Sequence, residues 1–223
     1  FVHAIGMTVF LSVVSWLCAL AVGLLIAFFR MSRFRLLQQI ARGYVEVFRN
    51  TPLLIQLYLY YRGLQSLGII LDPVMCSVLG LSLYTAAYLA EIFRSGLQSI
   101  PSTQAAAGRA LGMNAVQLYT QILIPQTVRM ILPALGNQWI SLTKNSSLVA
   151  FITVTDIFYM LYIGAVQYFQ PFKFFLIGAL LYAGLALLIS AQIHGLDWLM
   201  KTRRLRYPAL VSLEAPLKEK AMG

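Results

Sequence analysis

Residues 8–29, TVFLSVVSWLCALAVGLLIAFF, form a run of 22 residues without a charged side chain, and Arg30 ends it. A helix needs about 20 mainly apolar residues to cross the hydrocarbon core of a bilayer. This run therefore predicts a membrane-spanning helix. It is too long for the core of a cleaved signal peptide and lacks preceding basic residues, so we expect it to stay in the mature protein. Because the first residue is Phe1, we expect further residues to precede it.

The composition of the whole chain supports the same environment. Hydrophobic residues make up 60% and charged residues 11%, with a mean hydropathy of +0.77. Soluble domains carry about 25% charged residues, so lipid must surround much of this chain. The net charge of +10 would suggest nucleic-acid binding in a soluble protein. Here the basic residues lie between the apolar runs, where they contact cytoplasm and anionic headgroups, and we expect no nucleic-acid partner.

Four further apolar segments are long enough to cross a membrane. The predicted spans are residues 8–29, 44–66, 74–97, 122–143 and 172–200. The pattern predicts an all-α integral membrane protein with about five transmembrane helices in a single domain, 1–223. Cys18 and Cys76 lie inside apolar runs without a Cys or His at ligand spacing, so the sequence signals neither a metal site nor a disulfide.

The basic loops predict the orientation. Lys and Arg concentrate in 30–49, in 94–129 and in the tail 201–223, which are therefore expected in the cytoplasm. The N-terminus is then outside and the C-terminus cytoplasmic. Segment 147–167 is apolar, but a crossing there would move the basic tail outside. We therefore predict that it is re-entrant or periplasmic, which is allowed where it packs against protein.

Segment 101–118 is small and polar, and it contains a run of alanines and good helix formers. It is too polar to cross a membrane, and its position after the third span places it in the cytoplasm. Two interpretations remain open from composition. It is either a docking surface for a partner protein or an amphipathic linker that lies on the headgroups.

The same segment carries a family resemblance. Residues 101–113, PSTQAAAGRALGM, are followed by ILIPQ at 122–126. This resembles the EAA loop of ABC importer permeases, whose pattern is E-A-A, three residues, G, nine residues, I, one residue, L-P. Three residues of the pattern match in register: Gly112, Ile122 and Pro125. The chain departs from it in having Ala106 at the Glu position, Gly108 at the second Ala and Ile124 at the Leu.

Four other segments resemble the polar-amino-acid branch of that family. They are FRNTPL at 48–53, AAYLAEIFRSG at 86–96, LGNQ at 135–138 and KNSSL at 144–148. The resemblance covers nearly the whole chain in one order. It implies a type I importer, in which the loop at 101–118 is a coupling helix that enters a cleft in an ATPase.

The resemblance also implies partners. They are an ABC ATPase dimer, a second permease subunit that is identical or homologous, and a periplasmic or extracellular substrate-binding protein, all at a bacterial inner membrane. ATP and Mg would bind the ATPase, and this chain would bind no cofactor and would not be an enzyme. The sequence contains no G-x-x-x-x-G-K-[ST] motif, which is consistent with that division.

Two groups of residues are candidates for function. The implied ATPase-coupling residues are Gln104, Ala106, Ala107, Gly108, Arg109, Ala110, Leu111, Gly112 and Met113. The candidate translocation-path or substrate residues are Gln56, Glu91, Lys144, Asn145, Ser146 and Ser147.

Each path candidate has a structural alternative. Glu91 is a carboxylate in an apolar span, which is costly and often functional, but we favour an ion pair with Arg94, three residues on. Residues 144–147 either supply hydrogen-bond donors for a substrate carboxylate or satisfy the last carbonyls of a helix. Gln56 either lines the path or lies in a helix that Pro52 bends.

The predicted function is the permease subunit of an ABC importer for polar L-amino acids, with a lean to acidic or amide substrates or a broad range. Few buried carboxylates are available for a cationic substrate beyond Glu91 and Asp156. The alternatives are an ATP-independent small channel or a secondary transporter. A secondary transporter would usually show paired half-repeats, which this sequence lacks.

Overall fold

The computed structural model describes residues 1–204 and the side-chain surroundings of residues 1–200. Within this part the chain is helical and contains no strand, which confirms the all-α prediction. Residues 205–223, most of the predicted cytoplasmic tail, lie outside the described residues. The α-helices are α1 (Val2–Arg30), α2 (Arg35–Asn50), α3 (Leu53–Tyr58), α4 (Leu64–Ser66), α5 (Pro73–Gln98), α6 (Ser102–Ala110), α7 (Ala115–Gln117), α8 (Ile124–Asn145), α9 (Ile157–Gln167) and α10 (Pro171–Arg204).

Short segments of other helical types join some of these helices. The π-helical segment Leu59–Gly63 connects α3 to α4, and the π-helical segment Leu118–Leu123 connects α7 to α8. The 3-10 segment Ser146–Ile152 follows α8. Pro125 lies in the first turn of α8, where its missing N–H is tolerated, and Pro133 lies inside that helix.

Three helices of the described part are long and apolar enough to cross a membrane. They are Val2–Arg30, Pro73–Gln98 and Pro171–Met200, and each contains a predicted span. The pair Ala115–Ile152 and Ile157–Gln167, bent by 55°, counts as a fourth if it is one broken span. The described residues therefore give three or four candidate spans, and the predicted count of five is not confirmed.

The predicted span 44–66 is divided in the structure. The chain leaves the helix at Thr51 and Pro52, because a residue that precedes proline is disfavoured in the α conformation. Both parts pack along α5. The hydroxyl of Tyr44 donates to the carbonyl of Leu83 at 2.6 Å, and a Cβ added at Gly80 would lie 2.6 Å from Leu57 Cδ2. The segment is therefore two helices that meet at a break.

Helices α1 and α5 form a close parallel pair. The hydroxyl of Ser82 donates to the carbonyl of Ser15, and the ends of the two helices meet at Arg30 and Glu91. A Cβ added at Gly23 would lie 2.8 Å from Leu89 Cβ, so only glycine fits there. Small residues that allow backbones to approach closely are typical of helix pairs in membranes, where lipid provides no hydrophobic driving force.

Segment 147–167 changes direction at a left-handed residue, Thr153, with φ 70°. The carboxylate of Asp156 then caps α9 by accepting the N–H of Tyr159 at 2.8 Å. Helix α9 packs on α10, where a Cβ added at Gly164 would lie 2.4 Å from a ring carbon of Phe174. This geometry fits a broken span or a re-entrant loop, and the predicted re-entrant or periplasmic placement stays a prediction.

Candidate functional site

Helix α6, which holds much of the predicted coupling segment, projects from the rest of the chain. Every residue from Ser102 to Ala110 is exposed except Ala105, which is half-buried, and Gly108, which is buried. Gln104, Ala106, Ala107, Arg109 and Ala110 are therefore free to meet another protein.

The two glycines of the coupling segment have different structural roles. A Cβ added at Gly108 would lie 2.7 Å from Leu118 Cδ1 and 3.2 Å from Ile122 Cδ1, so Gly108 lets α6 pack on the following segment. Gly112 has φ 76° and ends α6. The Met113 N–H donates to the carbonyl of Gly108 at 3.1 Å, and the Gly112 N–H donates to Arg109 at 3.0 Å. This is a Schellman motif, which favours glycine at the left-handed position.

Three large apolar side chains are exposed around this turn. Leu111 is 82% exposed, Val116 is 70% exposed and Tyr119 is 47% exposed. We call Leu111, Val116 and Tyr119 the apolar turn residues. Sequence reasoning missed Val116 and Tyr119 because exposure of an apolar residue has no local sequence signal. Met113 is half-buried and packs near Gly108, since a Cβ added at Gly108 would lie 3.3 Å from its sulfur.

Glu91 lies in an ion-pair cluster at the ends of α1 and α5. Its carboxylate accepts hydrogen bonds from Arg30 and from Arg94, and the three side chains are 29%, 15% and 26% exposed respectively. The ion pair with Arg94 that we favoured is present. Arg30, 61 residues away in the sequence, is an additional partner that the local pattern did not reveal. A path role for Glu91 stays a prediction.

Gln56 is buried beside the break between α2 and α3. Its Nε2 lies 3.0 Å from the carbonyl of Phe48, 3.1 Å from the carbonyl of Thr51 and 2.7 Å from Thr51 Oγ1. These contacts stabilise backbone groups that leave the helix at the break. Its Oε1 is buried without a hydrogen-bond partner among the described residues. A path role for Gln56 stays a prediction.

The segment 144–147 ends α8. The hydroxyl of Ser146 donates to Thr143 at 2.7 Å, and that of Ser147 donates to Lys144 at 2.8 Å, so the two serines satisfy carbonyls at the helix end. Lys144 is exposed and Asn145 half-buried. Lys144 and Ser147 line a cavity of about 310 Å³ between this segment and α10. The helix-end interpretation is therefore present, and a substrate role for residues 144–147 stays a prediction.

A polar network fixes the C-terminal part of α8 against α1. Ser12 and Thr143 share a hydroxyl hydrogen bond of 2.6 Å, and Trp139 Nε1 donates to Ser12 at 3.1 Å. The rings of Trp16 and Trp139 stack at 5.5 Å with an interplanar angle of 5°. These contacts join residues about 130 positions apart and hold the helix turn that precedes Lys144.

Asp156 is fully buried and connects three elements. Besides capping α9, its carboxylate accepts the hydroxyl of Tyr182 at 3.2 Å. The neighbouring Ile157 N–H donates to Thr8 Oγ1 at 3.2 Å. Asp156 is thus satisfied as a cap within a packed network. Among the described residues, no group of three or more His, Cys, Asp or Glu side chains could hold a metal ion.

Comparisons with known proteins agree with this architecture. Residues 19–202 match the family described as "Binding-protein-dependent transport system inner membrane component". The chain is 32% identical over 190 residues to the "Probable glutamine ABC transporter permease protein GlnM" of Bacillus subtilis, covering 85% of this chain and 88% of that one. It is 31% identical over 205 residues to the "Nopaline transport system permease protein NocM" of Agrobacterium fabrum, covering 87% and 85%.

Solved structures support the same assignment. The "Crystal structure of an amino acid ABC transporter with histidines" matches with a TM-score of 0.82 and 33% identity, covering 88% of this chain and 92% of that one. The MetNI methionine ABC transporter in an inward-facing conformation matches with a TM-score of 0.70 at 19% identity, covering 89% and 95%, which supports the fold alone. The chain therefore belongs to the family of binding-protein-dependent transport system inner membrane components, the membrane-spanning permease subunits of ABC importers.

Proposed function

We propose that this permease subunit of an amino-acid ABC importer forms the translocation path for polar L-amino acids and couples it through α6 to a separate ATPase dimer. Relatives named for glutamine and nopaline support an amino-acid substrate, and so does a 34% identical relative named for arginine. The lean to acidic or amide substrates or a broad range rests on the sequence.

The observation that carries the coupling proposal is the exposure of α6. A short helix that is exposed on nearly all of its faces buries too little apolar surface for packing within this chain to stabilise it alone. The apolar turn residues add three large side chains that a partner would cover, and exposed apolar groups of this kind mark interaction sites. The Schellman turn at Gly112 holds them in one conformation, which reduces the entropy lost on docking.

The remaining partners follow from the same role. ATP and Mg bind the ATPase, whose closure acts on α6; a second permease subunit, identical or homologous, completes the path. A binding protein delivers substrate from the outer side, and lipid surrounds the apolar helices. The N-terminus lies outside and the C-terminus in the cytoplasm. This orientation places α6 and the C-terminal ends of α1 and α5 on the ATPase side.

The candidate path residues receive unequal support. Lys144 and Ser147 border an open cavity, and an ammonium there attracts a carboxylate substrate. Asn145 lies beside them in the sequence. The hydroxyl of Ser146 already donates to the carbonyl of Thr143 at the helix end. The amide of Gln56 is bonded at the break between α2 and α3, and the carboxylate of Glu91 is bonded to Arg30 and Arg94. These two residues therefore affect the path by holding those contacts.

The test uses the complex of permease, ATPase and binding protein in proteoliposomes, with labelled glutamine, arginine, glutamate and aspartate. Leu111→Asp places a charge in the docking contact and should reduce both uptake and substrate-stimulated ATP hydrolysis at least tenfold. Leu67→Asp is the matched control, because Leu67 is a 76% exposed leucine that precedes α5, at the opposite end of that helix from α6. Gly112→Trp should reduce both rates together.

Three outcomes would contradict the proposal. Wild-type rates for the Leu111 and Gly112 variants in assembled complex would exclude docking through α6. Uptake by the permease without any ATPase would favour a channel, or a secondary transporter if an ion gradient drove it. Uptake of none of the four amino acids would remove the substrate assignment.

A further inference from the structure

An arginine and two tyrosines outside the predicted path residues form a cluster on α2 and α5. The guanidinium of Arg49 lies over the ring of Tyr88, 5.0 Å from its centroid. The hydroxyls of Tyr84 and Tyr88 share a hydrogen bond of 3.0 Å. Arg49 is exposed and both tyrosines are half-buried, so the cluster faces away from the packed core. We call Arg49, Tyr84 and Tyr88 the Arg–Tyr cluster.

The two tyrosines of the cluster lie near the middle of α5, which is a candidate membrane span. Helix α5 contains 26 residues, and at about 1.5 Å per residue it is about 39 Å long. Tyr84 and Tyr88 lie within about 4 Å of its midpoint along the axis. The hydrogen bond from Tyr44 to Leu83, also near that midpoint, holds the middle of α2 against the same part of α5.

Although Glu46 lies three residues before it in α2, Arg49 forms no ion pair in the described residues. The ion pairs there join Glu91 to Arg30 and to Arg94. An arginine at membrane depth is costly, and a cation–π contact with one ring offsets only part of that cost. The remaining cost means that Arg49 must face a water-filled cavity or an anionic ligand enclosed by protein.

The chemistry of the cluster identifies the anion. A guanidinium forms paired hydrogen bonds to a carboxylate. Because the two tyrosine hydroxyls share one hydrogen bond, one hydroxyl hydrogen remains to donate to the same anion. Lipid phosphates lie about 15 Å from the bilayer centre, since the hydrocarbon core is about 30 Å thick. A headgroup therefore does not reach the cluster, whereas a solute in the path does.

We propose that Arg49, with Tyr84 and Tyr88, is a subsite midway along the translocation path that binds the α-carboxylate of the transported amino acid. This inference rests on the proposed function and adds a site to it. Every amino acid carries an α-carboxylate, so such a subsite holds substrates with different side chains and allows a broad range. It also balances the guanidinium charge while substrate is present.

The first experiment asks whether the cluster faces water. Tyr84→Cys is made in a chain with Cys18→Ala and Cys76→Ala, and the whole complex in proteoliposomes is treated with a charged methanethiosulfonate reagent. Leu187→Cys is the control, because Leu187 lies at the middle of α10 and is 71% exposed among apolar neighbours. Tyr84→Cys should react at least tenfold faster than Leu187→Cys. Equal, slow labelling would overturn the proposal.

The second experiment asks what the cluster binds. The probe is whichever of glutamine, arginine, glutamate and aspartate the wild-type complex takes up fastest, compared with the α-amide of the same amino acid. At millimolar concentration the amino acid should slow labelling of Tyr84→Cys at least threefold, and the α-amide should not. Adding Arg49→Gln should abolish the protection, and Arg49→Lys should retain part of it. Equal protection by the α-amide, or protection that survives Arg49→Gln, would overturn the carboxylate assignment.

These measurements separate the subsite from the proposed function. The labelling experiment needs neither ATP nor the binding protein, so it is independent of docking through α6. Normal amino-acid uptake without protection at Tyr84→Cys would remove the subsite and leave the importer assignment intact. Protection with full uptake in Leu111→Asp would remove the docking role and leave the subsite.

Discussion

The crossing of α5 and α8 at Gly96 offers a sharp test of the packing. A Cβ added at Gly96 would lie 2.2 Å from Ile131 Cγ2 and 3.2 Å from Thr127 Cγ2. Ile131 is β-branched in a helix, so its Cγ2 has one strongly preferred rotamer and cannot swing away. Gly96→Ala therefore forces α5 and α8 apart, directly beside the coupling segment.

Two opposing terms set the size of the effect. Alanine is favoured over glycine in a helix by about 1 kcal/mol, whereas overpacking a tight contact costs about 1–3 kcal/mol. Gly184→Ala isolates the first term, because a Cβ at Gly184 in α10 meets nothing within 4 Å. The Gly184 variant should be up to about 1 kcal/mol more stable than wild type, and Gly96→Ala should be less stable than the Gly184 variant by about 1–3 kcal/mol.

The assay is unfolding of the purified permease in mixed detergent micelles by increasing SDS, followed by far-UV circular dichroism. Gly96→Ala should also lower uptake, since the α5–α8 crossing supports α6. Adding Ile131→Leu removes Cγ2 at nearly constant volume and should restore more than half of the lost stability. If Gly96→Ala is as stable as Gly184→Ala, or if Ile131→Leu does not rescue it, the close approach of α5 and α8 is wrong.

Two further pairs of variants test single polar groups by the same unfolding assay. Glu91→Gln leaves two guanidinium groups without their shared carboxylate and should cost about 1–3 kcal/mol at this partly exposed site, whereas Glu46→Gln, at an exposed position of α2, should change stability by less than about 0.5 kcal/mol. Asp156→Ala removes a buried cap and the partner of Tyr182, and should cost about 2–4 kcal/mol. Asp72→Ala, the exposed cap of α5, should cost about 1 kcal/mol. Equal losses within either pair would contradict the contacts described.

The helical character of the chain was predictable because hydrophobic runs carry that information locally. Val2–Arg30, Pro73–Gln98 and Pro171–Met200 contain predicted spans, although the helices extend beyond the apolar cores. Hydropathy does not divide 44–66, because it averages over Thr51 and Pro52, and the sequence predicts a bend at Pro52 only as an alternative role for the segment around Gln56. The family pattern matched Gly112 in register but did not predict that it adopts the left-handed conformation at the end of α6, which glycine favours.

The candidate site was less predictable because its contacts join distant parts of the chain. Arg30 and Glu91 are 61 positions apart, and Ser12 and Thr143 are 131 apart. No local pattern pairs such residues. Arg49 illustrates the limit most clearly, because the sequence assigns it to a basic loop and only the structure places its guanidinium over the ring of Tyr88, near the middle of α5.

The contacts of α1, α5 and α8 determine how a displacement of α6 would travel. Ser12 and Trp16 join α1 to the C-terminal part of α8, while the α5–α8 contact at Gly96 involves the N-terminal half of α8. Under the proposed docking, a force on α6 passes to α5 through a linker of three residues, 99–101. Close packing resists sliding between helices, so the three helices move together. Tyr84 and Tyr88 lie midway along α5, and α2 is held on α5 by the hydrogen bond from Tyr44 to Leu83. A tilt of the three helices would therefore change access to Arg49 more than its contact with Tyr88.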